Sequence, residues 1–114
     1  MTLRQKQSVF AELVAQLIVK AYEMGYEVTF GEAWRNPRVA EKYSEWGIGI
    51  KSSLHCSRLA IDLNLFRDGK LLKDTEDHRP LGQYWKTLDP LCRWGGDFRR
   101  RDGNHYSMAH GGRA

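Results

Sequence analysis

The run Leu59-Ala60-Ile61-Asp62-Leu63-Asn64-Leu65-Phe66 constrains this chain more than any other stretch. Its strict alternation places Leu59, Ile61, Leu63 and Leu65 on one face of an extended strand and Ala60, Asp62 and Asn64 on the other. The aliphatic face belongs to a core, so Asp62 points away from it, and small Ala60 leaves room beside the carboxylate. Asp68-Gly69 then reads as a tight hairpin turn, with Lys70 to Leu72 returning. A carboxylate in mid-strand suits the strand poorly. It is either solvated, paired with Arg58 or Arg67, or a ligand for a cation if a histidine joins it.

The rest of the chain supplies a small domain around that strand. Val9, Phe10, Leu13, Val14, Leu17, Ile18, Ala21 and Tyr22 recur at helical spacing and predict an amphipathic helix of about five turns, ending near Gly25. Tyr26 to Phe30 reads as a strand that Gly31 to Trp34 extends. Pro37 opens a short helix to about Trp46, and Gly47 to Ser53 reads as an exposed loop. Pro80 to Leu88 is expected as a helix, Trp94 to Phe98 as a strand or turn, His105 to Ala109 as a last strand, and Gly111 to Ala114 as a frayed tail. With 114 residues and no repeat or linker, residues 1–114 form one domain. Helices around a small, mostly antiparallel sheet make the class α+β.

Charge narrows the partners. A formal net charge of +4 favours an anionic partner, for which nucleic acid and a bacterial wall are both candidates. The densest basic run, Arg99-Arg100-Arg101, lacks any aromatic–basic repeat, so nucleic acid is not expected. The apolar stretch after Met1 is broken by Glu12 and Gln16, which excludes a secretory signal or stable membrane insertion. Cys56 and Cys92 read as free thiols of a protein made in a reducing cytoplasm, with Cys56 a neighbour of the chemistry and not a part of it.

His55 lies just before the central strand, and His105 begins the last one. With Asp62 they make two imidazoles and a carboxylate, a set that Zn2+ accepts while leaving a position for water. Asp102, three residues before His105, is placed to take a proton from that water. Arg35, held before Asn36-Pro37, can bind a carbonyl or a carboxylate or stabilise an oxyanion. Taken singly, each has an ordinary alternative: a turn at Asp102-Gly103, a surface strand histidine, an arginine in a turn. His78 and His110 have no partner at convincing spacing.

The motifs Ser53-x-His55, Ala60-x-Asp62, Trp94-Gly95-Gly96 and Asp102-x-x-His105-Tyr106 together resemble those of the zinc-dependent D-Ala-D-Ala carboxypeptidase family. The branch most resembled is that of small phage endolysins with L-alanyl-D-glutamate peptidase activity. The resemblance implies the Hedgehog/D-Ala-D-Ala peptidase-like fold, with His55, Asp62 and His105 as zinc ligands and Asp102 as the catalytic carboxylate. It also implies that Arg35 steadies the substrate or transition state, that Ser53 supports the site or hydrogen-bonds substrate, and that Trp94 shapes the cleft wall. Peptidoglycan stem peptides are the implied substrate. The expected life history is a monomer made in the host bacterial cytoplasm, released through a holin, and acting on the wall from the periplasm without a separate wall-binding domain. The alternatives are D-Ala-D-Ala carboxypeptidase or dipeptidase activity on the same metal, or a non-catalytic wall-binding domain. Two positions depart from the family pattern: Arg58 stands where glycine is usual, and Ser107 where some relatives carry histidine.

Overall fold

A computed structural model describes residues 1–47 and 53–114. Its first element, α1 (Leu3–Glu23), starts before the apolar repeat because Thr2 and Gln5 close a capping box around the first turn. Its buried stripe of Phe10, Leu13, Val14, Leu17 and Ala21 faces the core, and Gly25 ends it at a φ of 89°. Strand β1 (Glu27–Phe30) follows, then α2 (Pro37–Glu45), with Asn36 as its cap and Pro37 in its first turn.

The central strand β2 (Ala60–Arg67) is flanked on one edge by β1, in antiparallel register from Glu27 opposite Phe66 to Phe30 opposite Leu63. Asp68 and Gly69 both take positive φ, 53° and 74°, as a two-residue hairpin into β3 (Lys70–Leu71) requires. After α3 (Thr75–Leu88), β4 (Cys92–Trp94) and β5 (His105–Met108) complete an antiparallel sheet of order β1-β2-β5-β4, with β3 beside the far end of β2.

The expected α+β architecture holds, and the alternation in β2 is borne out. Leu59, Leu63 and Leu65 are fully buried, and Asp62 and Asn64 on the other face are partly open. The core gathers this face with α1, Trp85 and Leu81 of α3, and Tyr106 and Met108 of β5.

Four local expectations are corrected. Gly31 to Trp34 leaves the strand, although Gly31 N–H still donates to the Asp62 carbonyl at 2.7 Å. Helix α3 begins at Thr75, ahead of Pro80, because Asp74 and Asp77 form a capping box that starts it a turn earlier. The Gly47 to Ser53 loop lies mostly outside the described residues; of its two described ends, Gly47 is exposed as expected, whereas Ser53 is buried. The C-terminal tail is not frayed: His110 and Arg113 pair through their backbones, and Arg113 Nη2 donates to Ser57 Oγ at 3.2 Å. No helix among the described residues is long and apolar enough to cross a membrane.

Candidate metal centre

Two of the candidate ligands are brought together by strand register alone. Asp62 of β2 and His105 of β5 are directly opposed in the antiparallel ladder, which sets their side chains next to each other. His105 Nδ1 lies 3.5 Å from Asp62 Oδ1. The third comes from the short 3-10 turn Leu54–Ser57 that leads into β2. There the Ser53 hydroxyl accepts the His55 N–H at 3.2 Å, and Arg58 ends the turn in the left-handed region. His55 Nε2 thereby reaches 3.2 Å from Asp62 Oδ1, and the two imidazole rings meet edge to face with centroids 5.1 Å apart.

His55, Asp62 and His105 each offer one ligand atom within 4.8 Å of the others. His55 and His105 are buried, and Asp62 Oδ1 is a buried acceptor that completes no well-formed hydrogen bond despite two imidazole nitrogens nearby. A buried polar atom left in this state is costly, and a cation between the three groups removes the cost. The donor set is the N/O set that a divalent metal of the zinc type accepts. Burial alone would raise the Asp62 carboxyl. The imidazoles of His105 and His55, 3.5 Å and 3.2 Å away, favour the charged form, outweigh it and hold the group at about 2, so the carboxylate stays ionised. Neither arginine weighed as a partner for Asp62 reaches it: Arg58 stacks over Trp34, and Arg67 over Tyr26 while donating to the Met24 carbonyl.

These ligands open into a cleft of about 390 Å³ that is also lined by Arg35, Ser53, Phe98, Arg100, Arg101 and Asp102. Asp102 Oδ2 stands 3.8 Å from His105 Nδ1, at the mouth of the metal centre. The side chain is half-exposed; the partial desolvation it meets at the cleft, together with the nearby Asp62 charge, pushes its carboxyl above the usual range against the pull of His105. Its backbone is pinned on both sides: Asp102 N–H donates to the Gly95 carbonyl at 2.9 Å, and His105 N–H to the Asp102 carbonyl at 3.1 Å. A Cβ at Gly95 would stand only 2.0 Å from the Asp102 oxygen, which explains the glycine.

Trp94, expected on the cleft wall, is instead fully buried and does not line the cleft. Its indole N–H donates to the Gly103 carbonyl at 2.7 Å, and Gly82 and Gly96 lie against the ring where any Cβ would clash. Trp94 therefore anchors the loop that presents Asp102. Ser53 borders the cleft, and its hydroxyl caps the turn that carries His55.

Arg35 enters the cleft from the segment after β1. Its Nε and Nη2 lie 2.7 Å and 2.5 Å from Glu32 Oε1, and its guanidinium faces the Tyr43 ring at 5.4 Å. Glu32 was not singled out from sequence. Its only signal was the i,i+3 spacing of an acid and a base outside a helix. Cys56 and Cys92 are free thiols and Cys56 is not part of the ligand group; His78 instead bonds the Tyr106 hydroxyl at 2.8 Å.

Residues 46–108 match a peptidase family model described as D-alanyl-D-alanine carboxypeptidase. The chain belongs to this family. Among solved structures, the Serratia marcescens L-Ala D-Glu endopeptidase ChiX is similar in fold, with a TM-score of 0.70 over 87% of this chain and 79% of that one, at 17% identity. No curated protein matches the sequence. Family and ligand cluster together make the chain a metallopeptidase, with the expected fold around the His–Asp–His centre.

Proposed function

We propose that the protein is a zinc-dependent peptidase that hydrolyses the L-alanyl–D-glutamate bond of peptidoglycan stem peptides. The observation that carries this reading is the convergence of His55, Asp62 and His105, with Asp102 and Arg35 on the rim of the same cleft. Zinc held by the three residues supplies Lewis acidity, lowering the pKa of water toward about 7 and polarising a carbonyl.

The chain's own groups do the rest. Asp102 is the base that takes the proton of the attacking water on its carboxylate and then passes it to the nitrogen of the leaving amine. Arg35, its Nε and Nη2 held by Glu32, stabilises negative charge growing on the carbonyl oxygen. Arg100 and Arg101 add positive charge to the rim, which favours a stem peptide with its free carboxylates. The net charge of +4 also favours an anionic wall.

The proposal extends to a small lysin of the phage type: a monomer made in the host cytoplasm, passing a holin, and degrading the wall from the periplasm. A second reading, removal of terminal D-Ala by carboxypeptidase action, is favoured by the description of the matched family. Both reactions leave a carboxylate next to the cleaved bond, so the charged rim suits either.

The test is mass spectrometry of digested muropeptides with zinc content measured on the same preparation. Release of peptides beginning with D-Glu supports the proposal, loss of only terminal D-Ala selects the second reading, and zinc binding without cleavage removes both. Asp102→Ala is expected to keep zinc and to lose about 10²- to 10⁴-fold in turnover. Full turnover in that variant would remove Asp102 from its role.

A further inference from the structure

Both imidazoles of the metal centre have a nitrogen turned away from Asp62, and on His55 that atom, Nδ1, is buried with no hydrogen-bond partner. The atom facing it is Glu32 Oε1, at 3.8 Å. A histidine that offers Nε2 to a metal must carry its proton on Nδ1, and a buried N–H in this position ordinarily finds a carboxylate or carbonyl. Glu32 is the carboxylate on hand, and the same oxygen already holds Arg35.

Its placement is no accident of a loose side chain. Backbone bonds clip the Gly31–Arg35 segment to both ligand-bearing elements: Gly31 N–H to the Asp62 carbonyl at 2.7 Å, Asp62 N–H to the Glu32 carbonyl at 2.8 Å, and Arg35 N–H to the His55 carbonyl at 3.2 Å. Gly31 permits this approach, since a Cβ there would lie 3.0 Å from the Asp62 Cβ. Glu32 is thus fixed by its own main chain at the junction of the metal centre and the cleft arginine.

We propose that Glu32 is a positioning residue that serves two groups at once. It accepts the Nδ1 proton of His55, fixing the tautomer and the ring so that Nε2 faces the metal position, and it orients Arg35 toward the substrate. This rests on the metallopeptidase reading above, and it adds that metal affinity and substrate alignment share one carboxylate.

The test is zinc affinity of the purified full chain, measured by competition with a chromogenic chelator, with far-UV circular dichroism of the metal-free protein as the check on folding. Glu32→Ala is expected to weaken zinc binding about 10- to 100-fold. Glu32→Gln, which keeps an acceptor oxygen but loses the charge, is expected to recover only part of that loss and to stay about three- to tenfold weaker than wild type, while kcat stays depressed because Arg35 is no longer held. Arg35→Ala removes the ion pair and leaves Glu32 in place, so its zinc affinity should stay within about threefold of wild type while kcat falls.

Zinc binding within about twofold of wild type in both Glu32 variants overturns the inference. If the alanine variant does not fold, that result in Glu32→Gln alone overturns it. An Arg35→Ala variant that loses zinc as severely as Glu32→Ala does the same, because the loss would then come from the broken ion pair. A wild-type chain that binds no zinc defeats the metallopeptidase reading itself and is distinguishable from all of these.

Discussion

The metal centre has two halves built by different physics. One half is a strand ladder: Asp62 and His105 sit opposite each other because β2 and β5 are in register, and a core of Tyr106, Trp85 and Leu63 backs them. The other half, Glu32 to Arg35 and Ser53 to Arg58, has no ladder. It is held by a cap, an ion pair, two stacked arginines and single backbone bonds to the strands. A ladder places its ligands as a consequence of folding at all, since a one-residue slip would turn the whole aliphatic face outward. A tied loop places its ligand only as well as each tie holds. Damage to the first half should therefore appear as lost stability, and damage to the second as lost metal affinity or turnover with the fold intact.

The largest expected effect lies behind the ladder half. His78 is buried against the Tyr106 hydroxyl, and burial lowers its pKa from 6.5 to about 4, with nearby Asp77 opposing weakly. A histidine lowered in this way contributes stability that is fully present above pH 6.5 and is lost as pH falls toward 4, because the unfolded chain binds the proton more readily. The loss should approach about 3 kcal/mol for a shift of this size. Urea denaturation of metal-free protein across that range measures it. His78→Gln should flatten the slope, and an unchanged slope in that variant would assign the pH response to other groups.

A smaller effect belongs to the tied half. Ser53→Ala removes the acceptor for the His55 N–H and loosens the turn that carries this ligand. If the two halves differ as described, this variant should weaken zinc binding severalfold with little change in the urea midpoint of the metal-free protein. A large fall in that midpoint without a change in zinc affinity would show the turn to be part of the core instead.

The smallest effect concerns Arg58, the residue that departs from the family's glycine. Its φ of 55° is in the left-handed region, where glycine is unstrained and other residues lose about 1 kcal/mol. The guanidinium recovers about 0.5–1 kcal/mol by stacking over Trp34, 4.9 Å from the ring centre. Arg58→Gly removes both effects and should change stability by less than about 0.5 kcal/mol. Arg58→Ala keeps the strain and loses the stack, so it should be the less stable of the two by denaturation. The reverse order would mean that the left-handed backbone imposes no strain on a side chain at this position.

Much of the fold was legible because the signals were periodic. The alternation of β2, the helical stripe of α1 and the Asp-Gly hairpin each encode their own conformation and the face they bury. The start of α3 lies ahead of Pro80, a residue that favours a helix's first turn, because the capping signal of Asp74 and Asp77 sits a turn earlier. In the site, His55, Asp62 and His105 were legible as ligand types, and the family resemblance paired them. Trp94 was misplaced because a Trp-Gly-Gly motif reads equally well as a cleft wall or as a packed anchor. Only the glycines pressed against the indole distinguish the two. Glu32 was missed because nothing local marks a carboxylate whose partners come from separate elements.

The sequence by itself determined which residues carry the chemistry and on which face of its strand Asp62 lies, since alternation and hairpin turns are properties of short stretches. The tertiary structure alone decided that His105 stands opposite Asp62, that Asp102 is pinned at the cleft by Gly95, and that one carboxylate, Glu32, lies between His55 and Arg35. Those relations depend on strand register and loop closure across distant parts of the chain, and short-range pattern carries no information about them.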